Sequence, residues 1–446
     1  MARPATRAGR QAQIAGLLLT ALVGACAYQG EPPGGPPRTT PPAILQTVPE
    51  SGAVRPDLRG DAIIAFDEVI EEMPGTRGVA GAITGLAQKI VLSPVGGNVK
   101  VSWHRTAIHV APEEGWKPHR VYHLQLLPGI SDLRHNIMKS GAMVVFSTGP
   151  ALPTAALSGT TLLWVEQRLL PQAVIRAAPV PDTVAYVTLS DSAGDFRLPA
   201  IPPGRYRVWA IQDQNNNRHQ DRREAFDTVT VTVDSSAQLL LWPFVHDTIG
   251  PRVRAVDPVD SVTLRIAFST PLDPRRAPDT AAVRVFALPD TTPVAVRALF
   301  TPARFDSIQA RARAVADSLR RLRDSTTRKD TTARRDTLAR AGAPPPQRPP
   351  AVAGAAGAPA RRDTSAAKID TARVRQLLSR RLVPYDRLVV QTVPVLTPGA
   401  KYLVRVRGAT NLSGVAADGQ GVLVVPIPKP VARDTTKARL PPRPPR

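Results

Sequence analysis

The sequence predicts an all-β chain of tandem antiparallel sandwiches, interrupted once by a basic segment of a different kind. Apolar residues recur with period two in short runs, as at Val99, Val101 and Trp103 or at Tyr206, Val208 and Ala210. That alternation belongs to strands with one face turned to a core. The runs are punctuated by turn residues, 47 Pro and 30 Gly among 446 residues, a density that argues against long helices in the folded parts. Helical periodicity is concentrated in one stretch that begins near Thr301. The length leaves room for about three domains.

The chain opens with Arg3, Arg7 and Arg10, followed by an apolar run from Ile14 to Val23. Ten residues are too few to cross a hydrocarbon core of roughly 30 Å as a helix, but they suit the apolar centre of a secretory leader. The run ends at Val23-Gly24-Ala25-Cys26, which holds the single cysteine of the chain. A lone cysteine makes no internal disulfide. The tetrapeptide resembles the lipobox of bacterial lipoproteins, and the resemblance implies cleavage before Cys26 and lipidation of its sulfur. An ordinary leader with a chance cysteine is the alternative. Residues 1–25 thus read as a leader and 26–42 as a Pro/Gly-rich tether, extending about 50 Å if fully drawn out. In the Gram-negative lipoproteins that this resembles, an Asp after the cysteine favours the inner membrane. Ala27 therefore implies an exported protein, lipid-anchored in the cell envelope at the outer membrane.

Residues 43–149 form the first expected sandwich, with strands at Asp61–Phe66, Val99–Trp103, Tyr122–Leu126 and Met143–Phe146. Val48-Pro49 with Gly52, Ile64-x-Phe66-Asp67-Glu68, Ile90–Pro94, Gly129-Ile-x-Asp132 with Asn136, and Phe146–Gly149 resemble the SbsA-type bacterial Ig-like domain. That family is structural or adhesive. Five of the seven histidines, His104, His109, His119, His123 and His135, fall in this unit. A metal site needs three or four converging ligands, so they are expected to be exposed strand and loop residues. Residues 150–245 form the second unit, centred on Ala193–Leu198 and Ile201–Ala210, whose inward residues are Phe196, Leu198, Tyr206, Val208 and Ala210. Around Pro202-Pro203-Gly204-x-Tyr206 it resembles the carboxypeptidase-regulatory-like, transthyretin-like sandwich, which carries no peptidase chemistry. The third unit is split into 246–300 and 383–428. Its Val262–Phe268, Tyr402–Val406 and Gly408–Asn411 segments resemble a diverged second copy of the first unit.

Residues 301–382 form the insertion, and 429–446 a Pro/Arg-rich tail expected to be disordered. The insertion holds 17 Arg and 2 Lys against 7 Asp, a charge of +12 out of +22 for the whole chain. Phe305, Ile308, Ala312, Val315, Leu319 and Leu322 form a heptad-like stripe. Ile369, Val374, Leu377, Leu378 and Leu382 form a shorter one. The insertion is either a pair of helices packed on each other or a largely disordered loop. Because an exported chain does not meet nucleic acid, the expected partners of Arg311, Arg313, Arg320, Arg321, Arg334 and Arg335 are an anionic envelope polymer, anionic lipid or an acidic protein. It is also expected to be dispensable for folding.

Asp213, Asn215, Asn217, His219, Asp221 and Glu224 stand at positions 1, 3, 5, 7, 9 and 12 of a loop. That is the ligand spacing of an EF-hand, with His219 offering its carbonyl, so calcium is the candidate cofactor. Arg218 replaces the usual glycine at position 6, and a strand precedes the loop. A turn-rich loop held by its own side chains is the alternative reading. No nucleophile–base pair, phosphate loop or CxxC is present. The sequence therefore points to a non-enzymatic envelope lipoprotein, a multi-domain scaffold or adhesion protein displayed on the membrane. The alternative is a ligand- or glycan-binding lipoprotein accessory to a transport or secretion system.

Overall fold

The computed structural model describes residues 39–73, 83–332 and 365–427. The leader, Cys26, the tether up to residue 38, Arg334, Arg335 and the tail lie outside the described residues. The strands gather around three separate cores, each closed by two sheets.

The first unit contains β1 (Ile44–Val48), β2 (Ala62–Phe66), β3 (Ile90–Ser93), β4 (Val99–His104), β5 (Ala107–Pro112), β6 (Val121–Leu126) and β7 (Ala142–Ser147). Its sheets run β1-β2-β5-β4 and β3-β6-β7. Ile64, Phe66, Ile108, Val110, Leu124 and Phe146 fill the space between them. Trp116 meets Tyr122 edge-on at 4.9 Å, and the Tyr122 hydroxyl accepts the Lys117 N–H at 2.8 Å. Burial of that ring raises the phenol pKa.

The second unit contains β8 (Ala156–Leu163), β9 (Arg168–Leu169), β10 (Val174–Pro179), β11 (Tyr186–Leu189), β12 (Asp195–Leu198), β13 (Gly204–Ile211), β14 (Ala225–Val233), β15 (Ser236–Leu241) and β16 (Phe244–Val245). One sheet is ordered β11-β10-β13-β14-β16 and the other β12-β8-β15, with β8 and β15 parallel. All five residues expected to point inward are buried here. Pro202-Pro203-Gly204 does not form a hairpin. It carries the chain from β12 in one sheet to β13 in the other. Two prolines without N–H donors suit a crossing between sheets better than a ladder. Tyr206 closes the corner by donating its hydroxyl to the Pro202 carbonyl at 2.6 Å.

The third unit contains β17 (Val253–Pro258), β18 (Thr263–Leu272), β19 (Val283–Leu288), β20 (Thr292–Val294), β21 (Val296–Phe300), β22 (Tyr385–Thr392), β23 (Lys401–Thr410) and β24 (Ala416–Val424). Its orders, β17-β18-β22-β21 and β20-β19-β23-β24, repeat those of the first unit with one added strand. The tyrosine bond is repeated too, since Tyr402 accepts the Thr397 N–H at 2.9 Å. In this alignment β21 and β22 correspond to β4 and β5. The first unit joins those strands through Arg105 and Thr106 alone, whereas the third places 84 residues there. The insertion therefore grows from the tip of one hairpin.

The insertion contributes α1 (Pro302–Thr332) and α2 (Ser365–Leu378). Phe305 roots α1 against Phe300, with ring centroids 6.2 Å apart. Beyond it Ile308, Val315 and Leu319 are exposed. Pairing of the two helices was one expectation, but α2 instead packs on the second unit. Val374, Leu377 and Leu378 lie on Leu162, Trp164, Trp242 and Phe244. The Arg381 guanidinium sits 3.5 Å above the Trp164 ring, and Trp164 Nε1 donates to the Leu382 carbonyl at 3.0 Å. Arg373 pairs with Asp195. The segment is thus more than a dispensable arm, because it braces the third unit on the second. Leu412 of the third unit adds to this by packing on the same cluster.

One histidine also departs from expectation. His123 is completely buried, because both faces of β6 are covered, one by the first core and the other by the second unit. Its ring lies 5.1 Å from that of Tyr186, and neither ring nitrogen has a hydrogen-bond partner.

Candidate functional site

The strand β13 delivers the chain into the Asp213–Glu224 loop, and β14 takes it away. The structure does bring the six spaced residues together, but around N–H groups of the loop itself. Asp213 accepts the N–H of Asn217 at 3.2 Å and of Arg218 at 2.8 Å. Asn215 accepts from the Asn217 N–H at 3.1 Å, and Asn217 accepts from the His219 N–H at 2.7 Å. Asn217 Nδ2 donates to Asp221, and Asn215 Nδ2 does the same. Glu224, which is buried, receives the N–H groups of Gln214 at 2.8 Å and Asp221 at 3.0 Å. His219 turns its ring to Arg176, whose guanidinium donates to Nδ1 at 3.1 Å. Among the described residues no group of three His, Cys, Asp or Glu side chains converges in a way that could hold a metal ion.

Arg218, the residue in place of glycine, takes a left-handed backbone at φ 58°. Its guanidinium leaves the loop and donates to the carbonyls of Ile90 at 2.6 Å, Gln88 at 2.8 Å and Ala87 at 3.4 Å, all in the first unit. Burial pulls its pKa down to about 10, while Asp213 opposes the shift. Three carbonyls around a shielded guanidinium make charge-assisted bonds, stronger than neutral ones. Nearby, Ser93 donates to the Val187 carbonyl and accepts the Val187 N–H, and Thr188 donates to Gln125 at 2.9 Å. The loop is therefore a junction between units. A positive charge inside a set of presumed cation ligands was the signal in the sequence. It marked a side chain that leaves the set for carbonyls about 130 residues away.

The basic arm is placed differently. Arg311, Arg313, Arg320 and Arg321 are exposed along α1, which at 31 residues is about 46 Å long. None of the four makes an ion pair among the described residues; Arg313 reaches Gln309 at 3.4 Å. No helix among the described residues is long and apolar enough to cross a membrane.

Residues 38–148 match the family model for a bacterial Ig-like domain. No curated protein matches the chain. Among solved structures, the major pilin subunit of Bacillus cereus is 12% identical over 45% of this chain and 70% of its own, with a TM-score of 0.17. The Bacillus anthracis TIE protein is 12% identical over 63% of this chain and 51% of its own, with a TM-score of 0.16. The S-layer protein SbsC, domains 1–6, is 8% identical over 88% of this chain and 55% of its own, with a TM-score of 0.17. The first sandwich of this all-β chain is thus similar to the bacterial Ig-like domains.

Proposed function

We propose that the chain is a non-enzymatic scaffold of the bacterial cell envelope, held by lipid on Cys26 and presenting a basic arm to an anionic partner. On this reading the first unit is of the SbsA type, the second is carboxypeptidase-regulatory-like, and Ala27 directs the protein to the outer membrane. The observation that carries it is the arm: four exposed arginines without ion pairs among the described residues, on a helix rooted in the third unit. The arm's far end returns to brace the second unit. Arginine grips phosphate and carboxylate in planar, bidentate geometry, so the same array serves lipid headgroups or acidic polymers.

Two experiments test the reading. Cys26→Ser is expected to abolish labelling by a fatty-acid analogue and release the protein from membranes. Unchanged labelling and fractionation would remove the anchor from the proposal. Reversing Arg311, Arg313, Arg320 and Arg321 to Glu is expected to weaken binding to phosphatidylglycerol vesicles about a hundredfold or more, at about 1 kcal/mol per charge near the surface. The strand signature should stay unchanged, since all four side chains are exposed. Parent-like vesicle binding would make the arm a spacer.

A further inference from the structure

The first and second units enclose between them a cleft of about 1380 Å³. The first unit contributes Lys89 and Lys139 to its lining, the second Arg168 on β9, Arg197 on β12 and residues of the Asp213 loop. Its volume exceeds the roughly 300–1,000 Å³ of sites for single small molecules. A ligand of several linked units fits that size better than a single small molecule.

The charges in the cleft do not cancel. Asp195 is neutralised by Arg373, and Asp213 stands beside Arg218. Asp191 accepts the N–H groups of Ala193 and Asp195. It is the one lining carboxylate without a cation among the described residues, set against four further lining cations. Of these, Lys89 reaches the Pro128 carbonyl at 3.2 Å. The side chains of Lys139, Arg168 and Arg197 make no hydrogen bond or ion pair among the described residues. The lining also holds side-chain amides, among them Gln88, Gln172, Gln212 and Gln214, whose amide groups are likewise unengaged. An amide both donates and accepts, which matches a hydroxyl group. The walls are also held in place before any ligand arrives, because the Arg218 clamp and the Ser93–Val187 pair fix the two units.

We propose that this cleft binds a segment of acidic polysaccharide, its hydroxyls on the amides and its anionic groups on Lys139, Arg168 and Arg197. The site is distinct from the exposed arginines of α1, although α2 of the same insertion touches its edge through Arg373 on Asp195. Carboxylate-bearing uronate polymers and phosphate-bearing lipopolysaccharide core share the required chemistry.

The test titrates the full chain calorimetrically with four probes: a galacturonate hexamer, delipidated phosphorylated core oligosaccharide, a neutral glucose hexamer and hexaglutamate. At least one acidic sugar is expected to bind about tenfold or more tightly than the neutral one. The tighter of the two identifies the source. The exposed pair Arg168→Glu and Arg197→Glu is expected to weaken that binding about tenfold or more with an unchanged melting temperature. Lys139→Glu in the first unit should act in the same direction. The arm variant with its four reversed arginines should bind the acidic sugar as the parent does, even if it no longer binds vesicles. Parent-like affinity in both cleft variants would overturn the site, as would equal binding of the neutral hexamer. Tighter binding of hexaglutamate would assign the cleft to acidic peptides instead.

Discussion

Replacing Trp164 with alanine is expected to lower stability by about 3–5 kcal/mol, the range for removing a large aromatic side chain from a core. The indole is 3% exposed and meets Phe244 edge-on at 5.7 Å. It also receives the Arg381 guanidinium on its face and donates to the Leu382 carbonyl. The loss therefore reaches beyond the second unit, because the same ring holds the return of the insertion. Burial lowers the Arg381 pKa, so the cation is shielded as it stacks. A desolvated cation–π contact of this kind contributes about 2 kcal/mol. Arg381→Met keeps the volume but removes the charge and should cost less than Trp164→Ala. Urea denaturation measures both effects, and small-angle scattering should register a broader particle in the alanine variant. An unbroadened particle with unchanged stability would mean that the brace contributes nothing.

The second large effect follows from His123. Burial lowers its pKa from about 6.5 to about 4, although backbone groups of Ala200 and Pro199 beside the ring favour the cation. Between those values the unfolded chain takes up a proton that the native chain refuses. Stability then rises with pH, and it falls as the pH drops from about 6.5 towards 4. At about 1.4 kcal/mol per pH unit, the loss reaches about 3 kcal/mol at the acid end. His246 is lowered in the same direction, by burial, and adds a smaller share. His123→Leu should flatten most of this slope. At neutral pH it should match or exceed the parent in stability, since no hydrogen bond is lost when neither ring nitrogen has a partner. Melting curves of both proteins from pH 7 to pH 4 would decide it; parallel curves would place the acid sensitivity elsewhere.

What the sequence displayed was set by local rules. The alternation of Tyr206, Val208 and Ala210 reported the core side of β13, because that sheet has one face inward and the other largely outside. The shared pattern around Tyr122 and Tyr402 reported a repeated fold, and both hydroxyls do accept an N–H five residues upstream. His123 escaped the same rule. Period-two reading presumes one wet face, and Val121, Tyr122, His123 and Leu124 are all buried. The stripe of Val374, Leu377 and Leu378 was visible as a helix face, but its partners, Trp164 and Trp242, are distant in the chain and carry no mark of the pairing. Arg218 counted against a cation loop for a sound electrostatic reason. Its actual role, on the carbonyls of Ala87, Gln88 and Ile90, depends on the docking of two units that no local pattern encodes.

The hairpin tip between β21 and β22 bears on the order in which the chain assembles. Enlarging a connection from two residues to 84 adds about 3 kcal/mol of closure entropy, on a scale of about 0.6 kcal/mol per doubling. The strands β21 and β22 must therefore find each other across a wide gap. Docking of α2 narrows it, since a helix already seated on Trp164 and Trp242 delivers Tyr385 close to its place. That seat belongs to the second unit, which precedes the third along the chain and can be complete before β22 exists. Nascent-chain folding would then run forward, with the second sandwich acting as template for the third.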